Sequence, residues 1–120
     1  DAIAKRALPH LKRALAARNS IIIDGLYSFS EYKTLRAELG TDMVVVAIVC
    51  RRALRYARLA QRPERPLTGA EAEKRDYQEI ETLEKGGPIA IADFTLVNDD
   101  ASETILQALD QLTNQLGLTP

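Results

Sequence analysis

Residues 43–50 read MVVVAIVC, and the fifteen that follow, 51–65, read RRALRYARLAQRPER. The first run is continuously apolar and mostly β-branched, which suits a parallel strand covered on both faces better than an edge strand with one wet face. The second run carries six arginines (51, 52, 55, 58, 62 and 65) against one acid, Glu64. Guanidinium is always charged, forks onto two oxygens at once and sheds its hydration more readily than ammonium, so an arginine-rich segment leaving a strand is suited to gripping phosphate. The competing reading, a solvated helix face, applies to any one of these arginines taken singly.

Working outward, Ile21-Ile22-Ile23-Asp24-Gly25 reads as a short strand ended by glycine, and Phe94 to Val97 as another, closed by Asn98-Asp99-Asp100. Ser28-Phe29-Ser30-Glu31 and Thr68-Gly69-Ala70-Glu71 are capping-box signatures, opening helices to Leu39 and to about Lys85. A further helix is predicted from about Ala53 to Gln61. Ala4, Leu8, Leu11 and Leu15 make one helical stripe at the start, interrupted or begun by Pro9, and Ile105, Leu109, Leu112 and Leu116 make one at the end, stopped by Gly117. Strands separated by helices of this length predict an α/β fold, a three-layer parallel sheet with helices on both faces, formed by residues 1–120 as a single domain. Ligands of such sheets bind at the carboxyl ends of the strands, which points to Asp24, Cys50-Arg51 and Asn98-Asp99.

Composition narrows the function. With 46% apolar residues in 120, the chain can bury a core. A net charge of −1 and a pI near 5.9 argue against broad attraction to nucleic acid or membrane, so the arginine run is a local feature. No apolar run reaches the ~18 residues a membrane span needs. The single Cys50 permits no internal disulfide, which suggests a reduced cytoplasmic setting and a buried structural thiol. His10 has no second His or Cys at ligand spacing and reads as a surface residue. Tyr56 and Tyr77 read as packing residues. Glu71–Arg75 and Glu81–Lys85 are spaced as i,i+4 ion pairs, which competes with a phosphate role for Arg75.

The residues Ile21 to Gly25, Arg55-Tyr56-Ala57-Arg58-Leu59 with Arg62, Lys74-Arg75-Asp76 and Ala92-Asp93-Phe94-Thr95-Leu96-Val97-Asn98 together resemble P-loop kinases related to dephospho-CoA kinase and adenylate kinase. The resemblance covers nearly the whole chain and implies ATP and Mg²⁺ as cofactors, with a small nucleotide-like phosphate acceptor. It implies a mobile lid at about 51–85, catalytic roles for Asp24, Arg58 and Arg62, and contacts to ATP or acceptor phosphates from Arg58, Arg62, Arg65 and Arg75. Asn98 would lie near adenine, and Asp24 would hold Mg²⁺ through water. Where such kinases commonly have an arginine after the Asp-Gly pair, this chain has Leu26-Tyr27-Ser28. The phosphate loop G-x-x-x-x-G-K-[ST] is absent, with no Gly-Lys pair anywhere. The expectation is therefore a carboxyl-terminal portion, inactive alone, of a protein that transfers the γ-phosphoryl of ATP. In the resembled family the loop's strand lies between those ending at Asp24 and Cys50. Its absence predicts either direct closure of the Ile21 and Val44 strands or a second copy filling the gap. The alternative function is a non-catalytic α/β self-association module.

Overall fold

The computed structural model describes residues 2–17, 20–26 and 28–118. Helix α1 (Ala2–Ala16) runs through Pro9 without a break, and buries Ala4 while Leu8, Leu11 and Leu15 are half-buried. It packs on α2 (Phe29–Leu39), where Lys12 Nζ meets Glu38 at 2.7 Å. Ser28 caps α2, its hydroxyl accepting the Glu31 N–H at 3.1 Å, and Gly40 ends it at φ 58°. A 3-10 turn (Gly40–Asp42) leads into strand β1 (Val46–Val49).

Helix α3 (Arg52–Ala60) leaves β1 directly and packs on α4 (Gly69–Leu83). Thr68 forms the complete capping box expected: its Oγ1 accepts the Glu71 N–H at 3.2 Å, and Glu71 accepts the Thr68 N–H at 3.0 Å. That bond holds the Glu71 carboxyl below its ordinary range and takes it away from Arg75. The ion pairs of α4 therefore differ from the spacing-based expectation. Arg75 Nε meets Glu79 at 3.1 Å and Lys85 Nζ meets the same carboxylate at 2.5 Å, because Glu84 turns left-handed at φ 57° and carries Lys85 back over the last turn.

The apolar patch after Gly86 forms a short helix, α5 (Gly87–Ala90). A Cβ at Gly87 would lie 2.7 Å from the Phe29 side chain, so glycine is what permits α5 to approach α2. Strand β2 (Phe94–Val97) and helix α6 (Ser102–Gln115) complete the chain. Of the apolar stripe on α6, only Leu112 is fully buried.

β1 and β2 pair in parallel, Val46 with Phe94 through Val49 with Val97. The fold is α/β, as predicted, but the sheet is two-stranded among the described residues, and a three-layer sheet is not formed. Ile21–Asp24 does not form a strand, and neither closes onto β1 nor joins the sheet; Ile22 is 87% exposed. A short β-branched run becomes a strand only where a neighbouring edge accepts its backbone. The expected double covering of β1 is also corrected: Val45 and Ala47 are buried while Val44, Val46 and Ile48 are exposed. α5 packs against β1 and α6 against β2. Among the described residues no helix is long and apolar enough to cross a membrane.

Candidate functional site

The carboxyl ends of β1 and β2 lie side by side, and the loops leaving them are tied together. The Asn98 N–H donates to the Val49 carbonyl at 2.7 Å. The Arg51 N–H donates to Asp99 Oδ1 at 2.8 Å, and the Arg51 guanidinium stands 3.4 Å from the same carboxylate. Beside this junction α3 presents one face over an open depression of about 340 Å³, lined by Ile48, Cys50, Arg55, Arg58, Arg62 and Asn98 among others. Cys50 is partly exposed there rather than a buried structural thiol.

The arginines sort by partner. Arg55 forks onto Asp76 of α4 at 2.9 and 2.7 Å, and the Tyr56 hydroxyl donates to the same carboxylate at 2.7 Å. The Arg55 hydrogen bonds hold the Asp76 carboxyl below its ordinary range, against a smaller opposing effect of burial. Arg52 meets Glu73 at 3.1 Å. Arg51, Arg52, Arg55 and Arg75 thus stand against carboxylates that offset their charge.

Arg58 and Arg62 differ. Arg58 Nη1 donates to the Asn98 carbonyl at 2.6 Å and to Cys50 Sγ at 3.4 Å, and its Nη2 to the Asp100 carbonyl at 3.3 Å. Arg62 Nε donates to the Arg65 carbonyl at 3.1 Å, and its Nη2 contacts the same oxygen. Carbonyls orient a guanidinium without neutralising it, and each guanidinium has five N–H donors, so both keep charge and donors to spare. Neither pairs with a carboxylate among the described residues. Arg65, at φ 51°, offers its carbonyl to Arg62 while its own side chain is exposed.

The remaining expected site residues are placed as follows. Arg58, Arg62 and Asn98 come together on the depression. Arg65 lines a neighbouring surface hollow with Arg62, Pro63 and Glu64, and Arg75 is engaged with Glu79 on α4. Asp24 is exposed and is not among the residues lining the depression. No group of three or more His, Cys, Asp or Glu able to hold a metal ion occurs among the described residues. Asp24 offers a single exposed carboxylate, the kind of group that meets Mg²⁺ through water beside substrate phosphates rather than within an all-protein cage. His10 Nδ1 accepts a hydrogen bond from Arg13 at 2.8 Å.

Sequence reasoning missed the Arg55–Tyr56–Asp76 clasp, having read Tyr56 as packing alone. A signal was present: Arg52 and Arg55 are three apart on one helix, as are Glu73 and Asp76 on the next, matching charge for charge.

No family model matches the chain, and no solved structure matches it. Curated relatives do. A UPF0200 protein of Thermococcus sibiricus is 26% identical over 98% of this chain and 63% of its own length. One of Thermococcus onnurineus is 29% identical over 97% of this chain and 64% of its own length. A UPF0200/UPF0201 protein of Archaeoglobus fulgidus is 28% identical over 97% of this chain and 36% of its own length. The chain thus spans less than two thirds of the length of these relatives. The resemblance to dephospho-CoA kinase and adenylate kinase is corrected by these relatives. Similarity over almost the whole chain runs to proteins whose names state no kinase, and the Ile21–Asp24 strand, one of the elements that carried the resemblance, is not formed. What the chain is similar to is the set of proteins named UPF0200.

Proposed function

We propose that the depression at the carboxyl ends of β1 and β2 binds the phosphate oxygens of a small nucleotide-like ligand, and that the whole protein uses it for ATP-dependent phosphoryl transfer to a small acceptor. The observation that carries this reading is the convergence of Arg58 and Arg62, both held by neutral carbonyls, on one open surface. Two guanidiniums of uncompensated charge, pre-oriented by the backbone they grip, lose less side-chain freedom on meeting an anion than free arginines would. Asn98 adds an amide at the rim. Phosphoryl transfer needs mainly positioning and charge stabilisation, which is the contribution arginines of this kind make. The chain lacks a phosphate-cradling glycine loop, so it is expected to bind without turnover by itself.

The test is calorimetric titration of the chain with ATP and with inorganic tripolyphosphate. The reading expects both to bind, and expects Arg58→Ala and Arg62→Ala each to weaken binding of both. Binding of neither ligand overturns it, and so does binding that survives the loss of both arginines.

A further inference from the structure

Among the described residues, two that are not glycine are left-handed, Arg65 at φ 51° and Glu84 at φ 57°. Glu84 follows the last residue of α4, where helices commonly take such a turn. Arg65 ends no helix. It lies in the loop between α3 and α4, and two features oppose its conformation. A Cβ disfavours the left-handed region, and Pro66 pushes the residue before it towards extended backbone. A conformation opposed twice has to be held by its surroundings. The Leu67 N–H closes the loop by donating to the Leu59 carbonyl at 3.1 Å. Arg62 Nε donates to the Arg65 carbonyl at 3.1 Å, with Nη2 on the same oxygen. The Arg65 side chain takes no part in this: it is exposed and makes no hydrogen bond or ion pair among the described residues.

We infer that Arg65 is a positioning residue acting through its main chain: its left-handed turn aims its carbonyl at Arg62, and that carbonyl aims the Arg62 guanidinium at the depression, an inference that rests on the depression binding phosphate. Two donors on one oxygen fix the plane of the guanidinium. Nη1 and the second hydrogen of Nη2 are left for an anion.

Arg58 makes the contrast. Its carbonyl acceptors, on Asn98 and Asp100 at 2.6 and 3.3 Å, belong to the loop after β2. That loop is tied to the sheet by the Asn98 N–H on the Val49 carbonyl at 2.7 Å, so Arg58 is aimed from the sheet. Arg62 has no such acceptor among the described residues; both its contacts fall on one oxygen three residues ahead in its own loop. Its aim therefore depends on the backbone angle at Arg65. With that angle negative the carbonyl swings away, and Arg62 regains the freedom of a long side chain, which an anion would then have to take from it on binding.

Calorimetric titration of Arg65→Gly and Arg65→Val with tripolyphosphate, in about 0.15 M salt, tests the inference. Both variants lose the same charge, so the difference between them reports the backbone. Glycine takes the left-handed conformation freely, whereas a β-branched residue resists it. Arg65→Gly is expected to bind at least roughly fivefold more tightly than Arg65→Val, with helix content equal by circular dichroism. Adding Arg62→Ala to each is expected to abolish that difference. Without any ligand, the NMR signal of the Arg62 Nε–H is expected to exchange slowly with solvent in the unaltered chain and in Arg65→Gly, and fast in Arg65→Val. Equal affinities of the Gly and Val variants overturn the inference, and so does a difference that survives Arg62→Ala. An Nε–H signal indifferent to Arg65→Val overturns it as well. If the unaltered chain binds no tripolyphosphate, the phosphate reading falls, while the Nε–H signal still decides whether Arg65 aims Arg62.

Discussion

Helix α3 and the loop that follows it carry two sets of arginines whose fates are opposite. Toward α4, Arg52 and Arg55 meet carboxylates, and their charge goes into holding two helices together. Toward the ends of β1 and β2, Arg58 and Arg62 meet, among the described residues, only carbonyl oxygens and a thiol, and their charge stays directed at an open surface. One residue type on one short stretch of chain thus serves structure where a carboxylate meets it and is available to a ligand where only carbonyls do. The partner decides which, and partners are what a count of arginines does not reveal.

The largest expected effect lies on the open face. In the whole protein, Arg62→Ala should lower turnover by an amount corresponding to about 3 to 4 kcal/mol, while thermal unfolding moves little, because a partly exposed loop arginine flanked by Pro63 contributes little to the core. Steady-state kinetics beside calorimetric melting checks this, and unchanged turnover would place Arg62 with the structural arginines.

The clasp should behave in the reverse manner. Asp76→Ala removes the acceptor of three hydrogen bonds and should cost about 1 to 3 kcal/mol of stability, read by urea unfolding, with ligand binding altered far less than stability. The same carboxylate gives the clasp a pH dependence. The folded Asp76 value is depressed, so its contribution is present above the unfolded aspartate value of about 3.9 and is lost as pH falls through the lower folded value. Stability followed from pH 6 downward should therefore decline in acid with a shallower slope in Asp76→Asn. An identical slope in both proteins would remove Asp76 from the clasp.

Smaller effects belong to the frame that carries both faces. Thr68→Ala breaks the capping box of α4 and should cost about 1 kcal/mol. Glu84→Gly relieves a left-handed residue at φ 57° and should stabilise by a few tenths of a kcal/mol, up to about 1, less the exposed hydrogen bond that the Ser30 hydroxyl donates to the Glu84 carboxylate at 2.5 Å. Thermal melts of the two variants should move in opposite directions.

Much of the fold could be read before the structure. The caps at Ser28 and Thr68, the strand inside the 43–50 run and the Phe94–Val97 strand are local signals, each complete within a few residues. The Ile21–Asp24 strand failed because nothing in its own sequence supplies the neighbouring edge it needs. Helix α4 ends at Leu83, a little short of the expected Lys85, where a left-handed Glu84 folds Lys85 back onto Glu79 of the same helix. At the site, Arg58, Arg62 and Asn98 were legible as residues at strand ends, whereas the division between clasped and open arginines depends on carboxylates that α4 and the β2 loop bring from far along the chain.

That division is tested most directly by titrating ATP into the chain and into three single variants, Arg52→Ala, Arg58→Ala and Arg62→Ala. The account predicts that Arg58→Ala and Arg62→Ala weaken binding by roughly tenfold or more, as loss of a charge-assisted contact implies, while Arg52→Ala leaves the affinity unchanged. Equal losses in all three variants, or no loss in Arg58→Ala and Arg62→Ala, would contradict it.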